Sequence, residues 1–219
     1  MDLNGDGRPD ILSGSWPGEI YAFYRKPNGT YAAPEKLSHA KGRAIKVGSA
    51  SAVAAVDWSG NGRIDLIIGN IDGAVFLIPN EGTAQKPAFG PATRLNAAGN
   101  PIVAEGGDAG PCVADWDGDG KLDLILGSGS GKVTWHRNVG TGAEPKLDAG
   151  GVLVDQAGGQ FDSAETFNNP NRCGMRTKPR VADWNGDGKP DLLVGDFSYY
   201  SGGSAGNSQH GWVWVYLRQ

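Results

Sequence analysis

One nine-residue pattern occurs four times in this chain of 219 residues, and it constrains the fold more tightly than any other feature. The copies are Asp2-Leu-Asn-Gly-Asp-Gly-Arg-Pro-Asp10, Asp57-Trp-Ser-Gly-Asn-Gly-Arg-Ile-Asp65, Asp115-Trp-Asp-Gly-Asp-Gly-Lys-Leu-Asp123 and Asp183-Trp-Asn-Gly-Asp-Gly-Lys-Pro-Asp191. Their starts lie 55, 58 and 68 residues apart, which is the scale of one supersecondary unit per repeat.

The flanks repeat as well. Each closing Asp leads through three mostly apolar residues to Gly14, Gly69, Gly127 or Gly195. A second Gly follows at Gly18, Gly73 and Gly131, delayed in the last copy to Gly211. Alternating runs at 20–25, 75–80, 133–138 and 213–218 are rich in Val, Ile, Tyr, Trp and Phe, which predicts strands. Gly-Thr turns come next at 29–30, 82–83 and 140–141, then short strands ending at Leu37, Leu95 and near Leu153. A further strand precedes the loop at 52–56, 112–114 and 180–182. One unit therefore reads strand A, acidic loop, strand B, turn, strand C, Gly-Thr turn, strand D. The 36 Gly and 13 Pro fit an all-β chain with many turns.

Four antiparallel strands in such a unit match a propeller blade. One such sheet cannot bury both faces alone, so units must stack. The expected fold is all-β, a β-propeller of four four-stranded blades in one domain spanning 1–219, with repeats near 1–48, 49–110, 111–178 and 179–219. A sandwich array and a β-solenoid are the alternatives. The first unit begins inside its loop and the last stops after strand C. Three readings stay open: part of a ring of roughly seven or eight blades, completion by copies of the chain, or a small four-bladed ring.

The loops carry hard-ligand chemistry. Positions 1, 3, 5 and 9 offer side-chain oxygens, position 7 offers a backbone carbonyl, and Gly at position 6 permits the bend. The candidate ligands are Asp2, Asn4, Asp6, Arg8 and Asp10; Asp57, Ser59, Asn61, Arg63 and Asp65; Asp115, Asp117, Asp119, Lys121 and Asp123; and Asp183, Asn185, Asp187, Lys189 and Asp191. Oxygen donors suit Ca²⁺, whereas soft metals want Cys or His. An EF-hand needs Glu at position 12 between helices. That position is Ser13, Ile68, Leu126 or Val194, and the flanks are β-rich. Up to four Ca²⁺ are expected. By carboxylate count, affinity falls from loop 115–123 through 2–10 and 183–191 to 57–65.

Residues 113–127, Val-Ala-Asp-Trp-Asp-Gly-Asp-Gly-Lys-Leu-Asp-Leu-Ile-Leu-Gly, resemble the FG-GAP/VCBS repeat family, and 181–195 match nearly as well. The resemblance implies propeller blades with Ca²⁺ held between strands A and B, as in integrin α-chain heads. It also implies an extracellular, periplasmic or cell-surface location. Bacterial members are often adhesive or attached to carbohydrate-active enzymes. Ser59 and Asn61 depart from the family's usual acids, and there are fewer repeats than usual.

The formal charge is −4, from 24 acids against 20 bases, and no basic run or basic-aromatic cluster points to nucleic acid. No stretch reaches the ~18 apolar residues of a membrane span. Cys112 and Cys173 either form one disulfide or stay as buried thiols.

Antiparallel alternation puts the acidic loops on one face. The long segments 38–48, 96–110, 155–178 and 196–210 are expected on the other, where Trp16, Tyr199, Tyr200 and His210 are the candidate ligand-binding residues for a polysaccharide or protein. Trp58, Trp116 and Trp184, at motif position 2, are expected to pack between blades. An enzyme reading has Glu105, Asp108 and Asp162 as possible acid–base groups. The three histidines, His39, His136 and His210, sit in no triad or metal motif.

Overall fold

The computed structural model describes residues 1–155, 173–201 and 207–219, and every regular element among them is a strand. Sheet one is β1 (Ile11–Gly14), β2 (Ile20–Phe23) and β3 (Glu35–Lys36). Sheet two is β4 (Ala52–Val56), β5 (Asp65–Gly69), β6 (Val75–Ile78) and β7 (Thr93–Arg94). A small ribbon, β8 (Asn96–Ala97) and β9 (Asn100–Pro101), leads to sheet three. Sheet three is β10 (Gly110–Ala114), β11 (Asp123–Gly127), β12 (Val133–His136) and β13 (Gly151–Val154). Sheet four is β14 (Met175–Ala182), β15 (Asp191–Ser201), β16 (Asn207–His210) and β17 (Val213–Tyr216). Sheets two and three run A-B-C-D in chain order, with antiparallel neighbours.

Strand B explains how the sheets stack. Side chains alternate across a strand, so an apolar run with no polar partner is buried on both faces. Leu66 and Ile68 of β5 pack into one cluster with Ile20 and Ala22 of sheet one. Ile67, between them, packs with Leu124 and Leu126 of β11 in the next cluster. Ile125 of β11 packs with Leu192 and Val194 of β15 in the third. Each hydrophobic cluster is thus one sheet-to-sheet interface. Where the neighbouring sheet is missing, the same positions open: Ile11 of β1 is exposed, and so are Val213 and Val215 of β17.

Among the described residues, the main sheet-to-sheet packing runs between successive sheets, through the pairs β1–β4, β4–β10 and β10–β14. The sheets do not close on one another, so the small four-bladed ring is corrected to an open series of blades. Closure would require sheet one to cover the apolar face of sheet four.

The repeated Gly after strand B now has a physical reason. A Cβ on Gly14 would lie 1.9 Å from the carbonyl oxygen of Ser51, on Gly69 2.3 Å from that of Ala109, and on Gly127 2.1 Å from that of Thr177. Each of those carbonyls lies where strand A of the following sheet begins or in that strand. Gly195, in the last sheet, meets nothing closer than 3.8 Å among the described residues. We therefore expect Gly69→Ala to destabilise by about 1–3 kcal/mol and Gly195→Ala to fall within about 0.5 kcal/mol of the parent. Urea unfolding of both variants measures this, and equal effects would refute the packing explanation. Motif position 2 follows the same rule. Leu3 and Trp58 are buried in the first two interfaces and Trp116 packs on the third, but Trp184 is 62% exposed. The expectation that Trp184 packs between blades is corrected accordingly.

The segments 38–48 and 96–110, expected as irregular loops over one face, begin instead as hairpins at the rim. Ser38 bridges Ala44, and β8 pairs with β9. Each hairpin then grips the next sheet. His39 bridges Phe89 in parallel and Ala40 N–H donates to Phe89 O at 3.0 Å. Ala97 bridges Leu147 likewise, with Ala98 N–H donating to Leu147 O at 2.8 Å. We call these the first and second clasps. The segment 196–210 is also no irregular loop at its ends: β15 continues to Ser201 and β16 pairs back onto it.

Candidate metal centres and ligand surface

The four acidic loops share one hydrogen-bonded frame, built by the motif residues themselves. The position-1 carboxylate accepts the N–H groups of positions 5 and 6: Asp2 from Asp6 and Gly7, Asp57 from Asn61 and Gly62, Asp115 from Asp119 and Gly120, Asp183 from Asp187 and Gly188. Position 5 accepts from the N–H of position 7, at 2.9–3.0 Å in every copy. Gly at positions 4 and 6 adopts φ of 64–78° and 80–83°, a region costly for residues with a Cβ. The sequence motivates only the second of these glycines. Loop 57–65 folds like the others although Ser59 and Asn61 replace acids.

The closing Asp does more than offer a ligand. Asp10, Asp65, Asp123 and Asp191 are buried. One oxygen accepts a backbone N–H from the end of strand C or just beyond: Arg25 to Asp10, Asn80 to Asp65, Asn138 to Asp123 and Arg218 to Asp191, at 2.7–2.9 Å. In three copies the other oxygen accepts from position 2: Leu3, Trp116 and Trp184. Asp123 Oδ2 also accepts from Trp135 Nε1 at 2.9 Å. These carboxylates tie the loop to the sheet. The sequence hides this role, because ligand and tie want the same residue.

Donor chemistry fits a hard divalent cation. In loop 115–123 one oxygen each of Asp115, Asp117 and Asp123 lie within 4.8 Å of one another. Oxygens around a Ca²⁺ at about 2.3–2.6 Å span that distance. Asp119 stands apart, paired with Lys121 and with Arg137, each at 3.0 Å. Arg137 Nε also lies 2.5 Å from Asp117. Burial acts to raise the Asp119 pKa, but the bonds from Lys121 and Arg137 prevail and hold it below the usual carboxylate range. In loop 57–65 burial pushes Asp65 up, with Asp57 adding repulsion against the backbone N–H bonds that lower it.

The proposed ligand residues fall on two sheets, Trp16 on sheet one and Tyr199, Tyr200 and His210 on the β15–β16 hairpin of sheet four. Trp16 is 69% exposed in the β1–β2 turn of sheet one, and Tyr199 is exposed on β15 of sheet four. Tyr200 pairs with Ser208 and His210 with Ser198 through their backbones, and the side chains of Tyr200 and His210 lie outside what the structure describes. Glu105 is held by Lys132 at 2.9 Å and Asp108 by Lys178 at 3.0 Å, so both serve as ion-pair partners. Asp162 lies outside the described residues. Cys112 and Cys173 are separate buried thiols in the third cluster, which corrects the possible disulfide. Burial raises both, Cys173 to about 12 with the charge of Asp196 adding to it.

Stacked antiparallel sheets of three or four strands, each with an acidic loop leading into strand B, define a protein of propeller blades. The FG-GAP-like repeat model matches residues 2–68, 57–126 and 115–194, and the chain belongs to that family. Among solved structures it is similar to the Tc holotoxin pore of Photorhabdus luminescens (19% identity, TM-score 0.52), over 97% of this chain and 8% of that one. It is also similar to an Agrocybe aegerita lectin that recognises non-reducing terminal N-acetylglucosamine (22% identity, TM-score 0.47), over 99% of this chain and 50% of that one. A search of curated proteins returns no match. No helix among the described residues is long and apolar enough to cross a membrane.

Proposed function

We propose that this chain is a calcium-braced, β-propeller-type module that binds carbohydrate or protein ligands outside the cytoplasm, at the cell surface, in the periplasm or in the medium. The carrying observation is the repeated loop frame, which presents oxygen ligands from the same positions four times. The ligand set is the one named above: side-chain oxygens of positions 1, 3, 5 and 9, with the carbonyls of Arg8, Arg63, Lys121 and Lys189. Bound calcium would supply positive charge between clustered carboxylates and brace the A–B turn against strand C.

Ligand recognition is assigned to the opposite face, where Trp16 offers an exposed aromatic ring in the B–C turn of sheet one. A glycan array run with calcium tests the reading. We expect retention of at least one saccharide class, weakened by Trp16→Ala, with no depolymerisation of the retained polymer. Turnover would replace the binding-module reading with an enzyme.

The apolar face of sheet four is the module's second contact surface. Trp184, Val213, Val215 and Leu217 are exposed there, at or beside positions that form interface core in sheets two and three. A further blade fits this face. Light scattering across a concentration series tells whether a second copy supplies it.

A further inference from the structure

The first clasp carries charges that its structural work does not need. Its hairpin runs against the C–D segment of sheet two and encloses a cleft of about 490 Å³, lined by His39, Lys41, Arg43, Lys46 and Glu81 over Phe89 and Gly90. That size lies in the roughly 300–1,000 Å³ range of small-ligand pockets. Among the described residues, no carboxylate lies within 4 Å of Lys41, Arg43 or Lys46. The nearby Glu19 already accepts from Lys36 and Tyr21. The second clasp makes the same parallel bridge with Ala97, Ala98, Gly99 and Asn100, which carry no charge. Folding therefore does not account for the three cations.

His39 adds a different chemistry. Its Nδ1 lies 2.6 Å from the carbonyl oxygen of Gly90. A carbonyl only accepts, so Nδ1 carries the hydrogen, and in the neutral form of the ring Nε2 is the acceptor. The bond also fixes the ring in the cleft wall. The site thus offers cations for an anionic group, an acceptor for a hydroxyl, and apolar walls from Ala40, Ala44, Pro91 and Ala92. A sugar ring bearing a carboxylate or sulfate presents all three complementary features. Arg43 can take a planar oxyanion bidentately, while Lys41 and Lys46 act as point charges.

We infer that this cleft binds an acidic saccharide, a uronate or a sulfated sugar within a polysaccharide. The inference rests on the reading of the chain as an extracellular binding module. Calorimetry on the calcium-loaded protein tests it with four probes: a hyaluronan oligosaccharide for carboxylate, a sulfated dextran oligomer for sulfate, neutral dextran, and poly-glutamate. At least one acidic saccharide is expected to bind, weakening with added salt, while neutral dextran and poly-glutamate do not. Lys41→Ala with Arg43→Ala should weaken it at least about tenfold without changing the melting temperature. Lys86→Ala, outside the cleft lining, should have no effect. Neutral saccharides binding with indifference to the double variant would overturn the cleft and leave the module reading intact. Poly-glutamate binding alone, sensitive to the double variant, would keep an anion site but overturn its assignment to sugars. A glycan array with no retained saccharide would overturn the carbohydrate-binding reading of the module and this inference with it.

Discussion

Asp123→Ala is expected to lower the unfolding free energy by about 3–5 kcal/mol, and to do so in chelator as well as in calcium. The side chain is fully buried and accepts from three donors: Trp116 N–H at 3.2 Å, Trp135 Nε1 at 2.9 Å and Asn138 N–H at 2.8 Å. A buried donor left without a partner costs about 1–3 kcal/mol. Partial relaxation and water entry keep the sum below the maximum. That loss is a large share of the roughly 5–15 kcal/mol that holds a domain folded. Asp115→Ala is the control. Its carboxylate serves exposed loop N–H groups that water can satisfy, so about 1 kcal/mol is expected in chelator. Denaturant unfolding of both variants in chelator decides the matter. Equal losses would mean that the ties from Asp123 to Trp135 and Asn138 add nothing beyond what the loop frame itself supplies.

The same residue shows how far the sequence can be read. Four strands per unit, the loop register and the oxygen donors are all legible, because each follows from local periodicity or from spacing within nine residues. The tie from Asp123 to Asn138 is not, since its partner is a backbone N–H fifteen residues on with no side-chain signature. The clasps are hidden for a similar reason. His39 meets the Phe89–Gly90 backbone across 51 residues, and the hairpin between Ser38 and Ala44 carries no apolar alternation. Lys41, Arg43 and Lys46 lie within six residues of one another, but only the fold of the hairpin against 81–92 supplies the wall that makes a cleft of them. The glycines after strand B are visible as a repeat, yet their cause lies in the next sheet. Gly195 and Trp184 keep the motif where no neighbour sits, so the motif records a blade's potential interface rather than an occupied one.

Calcium should be the largest single contributor to stability that solution conditions control. Binding to the folded state alone stabilises by about 2.7 kcal/mol per site when free calcium exceeds Kd a hundredfold. Three occupied loops would therefore raise the melting temperature by many degrees. Titrating calcium into chelator-treated protein, by calorimetry and by thermal melting, measures this; no heat and no shift would sink the proposal. The ranking follows from charge. Among the described residues, loop 115–123 alone brings three carboxylates within 4.8 Å, so Asp115→Asn with Asp117→Asn should remove the tightest site. Its advantage is held in check by Arg137, whose guanidinium lies between Asp117 and Asp119 and would repel a dication. Arg137→Gln is accordingly expected to tighten calcium binding at this loop by about threefold to tenfold, the order of a partly screened charge pair. Loop 57–65 tests the converse. Its frame is already folded, and what it lacks is charge at Ser59 and Asn61. Ser59→Asp with Asn61→Asp should add a measurable site without altering the fold. If the double variant gains no calcium affinity, the loop frame rather than the carboxylate count sets the order.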